Sequence, residues 1–205
     1  MRWLAIDTSE GTSVARVNGM TVQRLAHPNP RGHAEHLAPM LLALGDDVDA
    51  VVVGTGPAPF TGLRVGIVTA RAFGEARGIP VVGVPSLDAL ARQALDGDPD
   101  VVTVVADARR KEVFWAAYDA LGEDDVTPLS GPAVSAPDDV DVRGALAGPG
   151  TRLYPDALPG EDLTLDPAVL ARIARARWGS EQPTEPLYLR RPDIHASAGR
   201  KRASA

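Results

Sequence analysis

Between Ala50 and Gly74 the chain passes from an apolar strand through a tight loop and directly into a helix, and no other stretch restricts the fold so strongly. Val51-Val52-Val53 has the pattern of a strand buried on both faces. The loop Gly54-Thr55-Gly56-Pro57-Ala58-Pro59-Phe60-Thr61-Gly62 must reverse the chain sharply and feed a helix opening at Leu63-Arg64-Val65-Gly66. Such a turn aims backbone N–H groups at a helix N-terminus, a natural seat for an anion. Pro57 and Pro59 carry no N–H, so the loop has the outline of a phosphate loop with donors missing.

Along the helix that follows, Gly62, Gly66, Ala70 and Gly74 recur every four residues and so share one face. A glycine inside a helix costs about 1 kcal/mol relative to alanine, so a stripe of them needs an offsetting gain, and close approach of another backbone supplies one. Two readings follow: the stripe packs on the protein's own sheet or a neighbouring helix, or it is a docking face for another subunit.

The chain has 205 residues, enough for one large domain or two small ones with a proper core. Aromatic residues are few while alanine, valine and leucine are plentiful, which favours α/β packing of aliphatic layers. There is no cysteine, which excludes disulfides, thiolate metal sites and cysteine nucleophiles. The N-terminal run Met1-Arg2-Trp3-Leu4-Ala5-Ile6 meets Asp7 too early for a signal peptide, and no apolar run is long enough for a membrane span, so a soluble, cytoplasmic protein without a membrane segment is expected. The net charge of −6 opposes nucleic-acid binding by the body. Arg190, Arg191, Arg200, Lys201 and Arg202 gather near the C-terminus, where they form either a solvated tail or a contact for a polyanion.

The first strand, Trp3 to Ile6, ends at Asp7-Thr8-Ser9, and Asn18-Gly19 between Thr12–Val17 and Met20–Ala26 signals a two-residue hairpin. Leu37, Met40, Leu41 and Leu44 mark one face of a helix that Pro39 must kink unless it lies in the first turn. A buried strand Val81–Val84 follows the glycine-striped helix, and then a helix from Leu87 with Ser86 as N-cap, for the order βββαβαβα. A polar turn places a boundary at residue 98. The second half opens as the first does, with strand Val101–Ala106 ending at Asp107 and a hairpin partner Glu112–Tyr118. Short strands are read within 126–134 and 138–142 and at Ala145–Gly150. A helix follows with Asp166 as N-cap, Pro167 first, Leu170, Ile173, Ala174 and Trp178 on its buried face, and Gly179 as stop. Leu187-Tyr188-Leu189 docks back on the body. The resulting division is 1–98, 99–194 and a basic, disordered tail 195–205.

Candidate chemistry is sparse. Asp7 could hold magnesium through water, with Thr8, Ser9, Thr12 and Ser13 offering hydroxyls to phosphate beside the Gly56 loop, or it could simply cap the hairpin. His33 and His36 sit three apart and share a metal only if further ligands exist, and none is evident. Asp107 with Arg109 and Arg110 forms a polar site or a salt-bridged turn.

Taken together, Ile6-Asp7-Thr8-Ser9, His33-Ala34-Glu35-His36-Leu37-Ala38-Pro39, Gly56 to Gly66, Gly78 to Val84, Asp107-Ala108-Arg109-Arg110 and Pro186-Leu187-Tyr188-Leu189-Arg190 resemble the TsaB family, also called YeaZ. The resemblance is best before residue 112. It implies an α/β fold of two tandem actin-like ATPase/sugar-kinase (ribonuclease H-like) domains, the second reduced. It further implies a noncatalytic scaffold for N6-threonylcarbamoyladenosine formation at position 37 of tRNAs reading codons that begin with adenine. Such a subunit pairs with the catalytic TsaD and with the ATPase TsaE and meets tRNA only through the assembled complex; alone, the chain is either a monomer or a homodimer. The isolated chain would hold no cofactor, ATP with magnesium and a metal belonging to the partners. The catalytic relative carries a His-x-Glu-Gly-His metal motif where this chain reads Pro85-Ser86-Leu87-Asp88-Ala89, and Ala58-Pro59 replaces a common Gly-Ser. The family's pairing surface carries over to His33, Leu37, Met40, Gly62, Leu63, Gly66 and Ala70. The rival reading is a phosphotransferase or ATPase of the same fold using Asp7 and the Gly56 loop.

Overall fold

The structure is a computed structural model that describes residues 1–29, 32–97 and 99–190; residue 98, Arg191 and the basic tail lie outside these. The first sheet has the order β3-β2-β1-β4-β5. It is built from β1 (Arg2–Asp7), β2 (Thr12–Asn18), β3 (Thr21–His27), β4 (Ala50–Gly54) and β5 (Val81–Val84). The β1–β2–β3 meander is antiparallel, while β1, β4 and β5 run parallel through the crossover helices α1 (His33–Leu44) and α2 (Phe60–Arg77). The hairpin forms one residue later than expected: Asn18 pairs with Thr21 as the last residue of β2, and the two-residue loop is Gly19-Met20, with Gly19 at φ 58°. Pro39 neither ends α1 nor sits in its first turn; it lies inside the helix on the solvent side, where the lost N–H bond costs least.

Because side chains alternate across a strand, each central strand feeds two cores. Leu4, Ile6, Val14, Val51 and Val53 face α1 and α2, whereas Trp3, Ala5, Ala15, Ala50 and Val52 face the opposite way. That opposite face is covered by α5 (Pro167–Ala176), through Ala168, Val169, Leu170, Ile173 and Ala174, and by Ala89 of α3 (Ser86–Leu95). The C-terminal helix thus returns to the first sheet. Asp166 caps it, accepting a hydrogen bond from the Ala168 N–H at 2.9 Å.

The second sheet, β8-β7-β6-β9, repeats the first four positions of that order. It contains β6 (Val101–Asp107), β7 (Val113–Leu121), β8 (Asp125–Ser135) and β9 (Ala145–Ala147), with α4 (Pro149–Leu153) behind it. Where a fifth strand would pair, a single parallel bridge joins Ala147 to Glu161. Val102, Val104, Phe114, Ala116 and Tyr118 pack on Leu87, Leu90, Ala91, Ala94 and Leu95 of α3. The layers therefore run α1/α2, first sheet, α3/α5, second sheet, α4, and both units have the actin-like ATPase fold, the second reduced.

Several sequence expectations are corrected here. Residues 138–142 form no strand, since Pro137–Asp139 is a 3-10 turn. Ser86 does not cap α3: Pro85 holds the N-cap position, and the Ser86 hydroxyl is drawn to Asp7. Trp178 lies beyond the end of α5 and is 45% exposed, meeting Trp3 edge-on with ring centroids 5.3 Å apart.

After α5 the chain crosses back over the edge of β5. The Gly83 N–H donates to Gln182 O (3.0 Å) and the Leu187 N–H to Thr55 O (2.8 Å), so backbone pairs cover an edge that would otherwise be open. The sandwich of α5 against the first sheet generates a prediction. Leu170 is fully buried, so Leu170→Ala should lower unfolding stability by about 2–5 kcal/mol in urea titration.

Candidate functional site

At the C-terminal ends of β1, β4 and β5 three segments converge on Asp7. Its Oδ1 accepts from the Ser9 N–H (2.8 Å) and the Ser9 hydroxyl (2.5 Å), and its Oδ2 accepts from the Ser86 hydroxyl (2.7 Å). The Ser86 N–H donates to Gly56 O at 2.7 Å, and the Gly56 N–H reaches the Ser86 hydroxyl at 3.3 Å. A Cβ on Gly54 would strike the Asp7 carboxylate, so glycine there is a condition of the approach. Asp7 is 3% exposed, and burial pushes its carboxyl above the usual carboxylate range against the opposing hydrogen bonds from Ser9 and Ser86.

Of the three weak nucleotide-site residues, the structure joins Asp7 and Gly56 through Ser86 and turns Thr8 elsewhere. The Thr8 side chain faces α2, where a Cβ on Gly66 would run into its hydroxyl. The Thr55 N–H bonds Val84 O, and Pro57 and Pro59 have no N–H to offer. Sequence reasoning missed Ser86 as the partner of Asp7, because a serine after a strand reads as a helix cap.

The glycine stripe faces inward. A Cβ on Gly62 would come within 2.6 Å of His33 Nε2, and one on Gly74 would meet Val81. Leu63 and Ala70 are fully buried, Gly66 is buried, and Leu37 and His33 are 1% and 7% exposed. These are the positions the resemblance implies as a pairing surface, and five of the seven are buried in the chain's own fold. They pack α1 and α2 onto the chain's own sheet; only Met40 and Gly62 keep partial exposure. His33 Nδ1 lies 2.9 Å from the Thr12 hydroxyl, and burial lowers its pKa. His36 instead stacks on His27 with centroids 3.5 Å apart, so the two histidines diverge, and no metal-ligand cluster exists among the described residues.

Between the ends of β1 and β6 lies a cleft cavity of about 220 Å³ lined by Ser9, Glu10, Ser86, Asp107, Arg109 and Arg152, among others. Charged pairs close it upon itself. Arg152 bridges Glu10 (3.0 Å) and Asp162 (3.1 Å), while Arg109 pairs with Asp107 (2.9 Å). The Arg109 N–H also donates to Asp107 Oδ1 at 2.7 Å, repeating the Asp7–Ser9 turn at the matching point of the second sheet. Arg109, Arg110 and Lys111 then follow with φ of 62°, 56° and 62°, a left-handed turn without glycine that costs roughly 1–2 kcal/mol per residue.

Two predictions follow from the junction. Gly66→Leu overpacks α2 against Thr8 and should cost about 1–3 kcal/mol in thermal or urea unfolding, whether or not any partner is present. Asp7→Asn should raise the melting temperature at pH 7. The folded carboxyl binds its proton more tightly than the unfolded one, so this group's contribution declines as pH rises through the unfolded value of 3.8 to the raised folded value. Melts of both proteins from pH 7 downward should therefore converge in acid.

With this geometry in place, comparisons with known proteins locate the chain. The family model described as TsaD, tRNA N6-adenosine threonylcarbamoyltransferase, matches residues 30–152, more than half of the chain. An uncharacterised protein of Mycobacterium tuberculosis is 44% identical over 93% of this chain and 92% of its own length. The Escherichia coli tRNA threonylcarbamoyladenosine biosynthesis protein TsaB is 38% identical over 58% of this chain and 55% of its own length. The solved structure of YeaZ from Pseudomonas aeruginosa superimposes with a TM-score of 0.77 at 29% identity, covering 92% of this chain and 99% of that one. By sequence and by fold, the chain belongs to the TsaB/YeaZ family, within the wider group that the TsaD model describes.

Proposed function

We propose that this protein is a noncatalytic accessory subunit in the formation of N6-threonylcarbamoyladenosine at position 37 of tRNAs that read codons beginning with adenine. It pairs with a TsaD-type catalytic subunit and with TsaE, forms a homodimer when alone, and meets tRNA within the assembly. The relatives named for this biosynthesis support the pathway. The observation that carries the accessory role is the closure of the Asp7 junction. Both carboxylate oxygens are engaged by Ser9 and Ser86, the Thr55 and Gly56 N–H groups are bonded within the protein, and Pro57 and Pro59 carry none, so the Asp7 junction is not preset to hold a magnesium–nucleotide complex. ATP, magnesium and the metal then belong to the partner subunits.

The pairing surface is the outer side of α1 and α2. Leu42 is 83% exposed and Val68 63% exposed, and Ala38 and Ala72 are exposed on the same two helices. Small residues beside two uncovered aliphatic side chains let a second helix pair approach closely, while the glycine stripe beneath holds the layer to the sheet.

Leu42→Asp and Val68→Asp should leave melting behaviour within about 0.5 kcal/mol of the parent, as exposed substitutions do, while abolishing co-elution with the organism's own TsaD on size-exclusion chromatography. Calorimetry of the isolated chain with ATP and magnesium should show neither micromolar binding nor turnover. ATP turnover that Asp7→Ala removes would instead establish the phosphotransferase reading.

A further inference from the structure

Two shallow cavities at the mouth of the cleft share Phe60 and Arg109. One, of about 150 Å³, is lined by Ala58, Pro59, Phe60, Arg109, Arg110, Phe114, Tyr188, Leu189 and Arg190 among others; the other, of about 180 Å³, runs past the first turn of α2 at Thr61 and Gly62. Around them the described surface gathers Arg64, Arg109, Arg110, Lys111 and Arg190, with Arg109 paired to Asp107 and Arg190 to Glu112. An aromatic platform stands among the cations. Phe60 and Tyr188 stack with centroids 5.1 Å apart and planes at 28°, the Arg64 guanidinium lies 3.7 Å over the Phe60 ring, and its Nε donates to the Tyr188 hydroxyl at 2.7 Å.

We propose that this basic–aromatic patch is a contact surface for a single-stranded stretch of RNA, and that the subunit reads its substrate through it rather than serving as scaffold alone. The inference rests on the tRNA-modification reading above for the identity of the RNA, but not for its chemistry. Cations spaced along a groove neutralise successive phosphates, and rings beside them receive unstacked bases regardless of sequence. A cavity near 150 Å³ accepts one aromatic ring. The left-handed turn adds the second half of the argument. Three consecutive non-glycine residues in that conformation present Arg109, Arg110 and Lys111 together at the surface, where a glycine-bearing hairpin would bend as readily with fewer charges. The strap that ends at Tyr188 and Arg190 ties the platform to the second unit, since Arg190 donates to Ala108 O at 3.1 Å and pairs with Glu112.

The test uses the full chain, alone and with the organism's TsaD, and a fluorescein-labelled tRNA transcript whose anticodon reads codons beginning with adenine. Replacing Arg109, Arg110 and Lys111 together by Asn keeps the turn, because Asn tolerates the left-handed region, and removes the charge. This variant should bind at least tenfold more weakly, and the slope of log K against log salt should flatten by about 2, from three lost phosphate contacts at about 0.7 each. Tyr188→Ala should weaken binding about tenfold with the slope unchanged. Co-elution with TsaD should persist in both, which separates this proposal from the pairing surface on α1 and α2. RNA affinity and salt slope equal to the parent's in the triple variant would overturn the proposal. So would absence of RNA binding by the parent in either form, or loss of TsaD pairing with RNA affinity retained, which would make the patch a protein contact.

Discussion

The architecture depends on how closely β4, α2 and α3 approach Asp7, Thr8 and His33. Gly54 passes the Asp7 carboxylate, Gly66 passes the Thr8 hydroxyl, Gly62 passes His33, and the Ser86 hydroxyl completes the shell around Asp7. None of the three glycine approaches tolerates a Cβ without displacement, which is why helix-weakening glycines sit inside α2 at about 1 kcal/mol each. The return on that cost is contact. With no side chains in the way, α2 lies low on the first sheet and lets Leu63, Ile67 and Ala70 reach the core formed by Leu4, Ile6, Val51 and Val53.

A second consequence concerns the cleft between the two units. Where the strands of both sheets end, the carboxylates are engaged by the protein itself: Asp7 by Ser9 and Ser86, Asp107 by Arg109, and Glu10 by Arg152 across the gap. Burial raises the Glu10 carboxyl above its ordinary range while Arg152 pulls it down, the balance of a contact held partly out of water. Behind the cleft, Arg177 joins Asp88 of α3 to Asp125 of β8, and Tyr118 of β7 donates to Asp88 at 2.9 Å. These ties, with α3 and α5 shared between sheets, couple the two units as one packed body.

Much of this was legible in the sequence, and for local reasons. Alternating burial along β1 and β4, the β2–β3 hairpin (though not the register of its loop, which is Gly19-Met20), the Asp166-Pro167 helix start and the repeated strand, aspartate and hairpin opening all follow from residues within a few positions of one another. The sheet orders then bear out the duplication, with β6, β7, β8 and β9 taking the places of β1, β2, β3 and β4.

What the sequence determined alone was therefore the menu of elements and the existence of a side-chain-free helix face. Which way that face points was decided only by the tertiary structure, because a glycine stripe records that something comes close without recording what. The same limit applies to Ser86, whose hydroxyl chose a carboxylate 79 positions away over its own helix N-terminus. It applies to Trp178, released from the helix and set against Trp3, and to α5, which lies late in the chain yet covers the first sheet. Local pattern fixes periodicity and turn chemistry through short-range sterics and hydrogen bonding. The partners of a face or a hydroxyl are chosen by which distant surfaces the packed layers bring into contact, and that choice exists only once the two sheets have closed around α3 and α5.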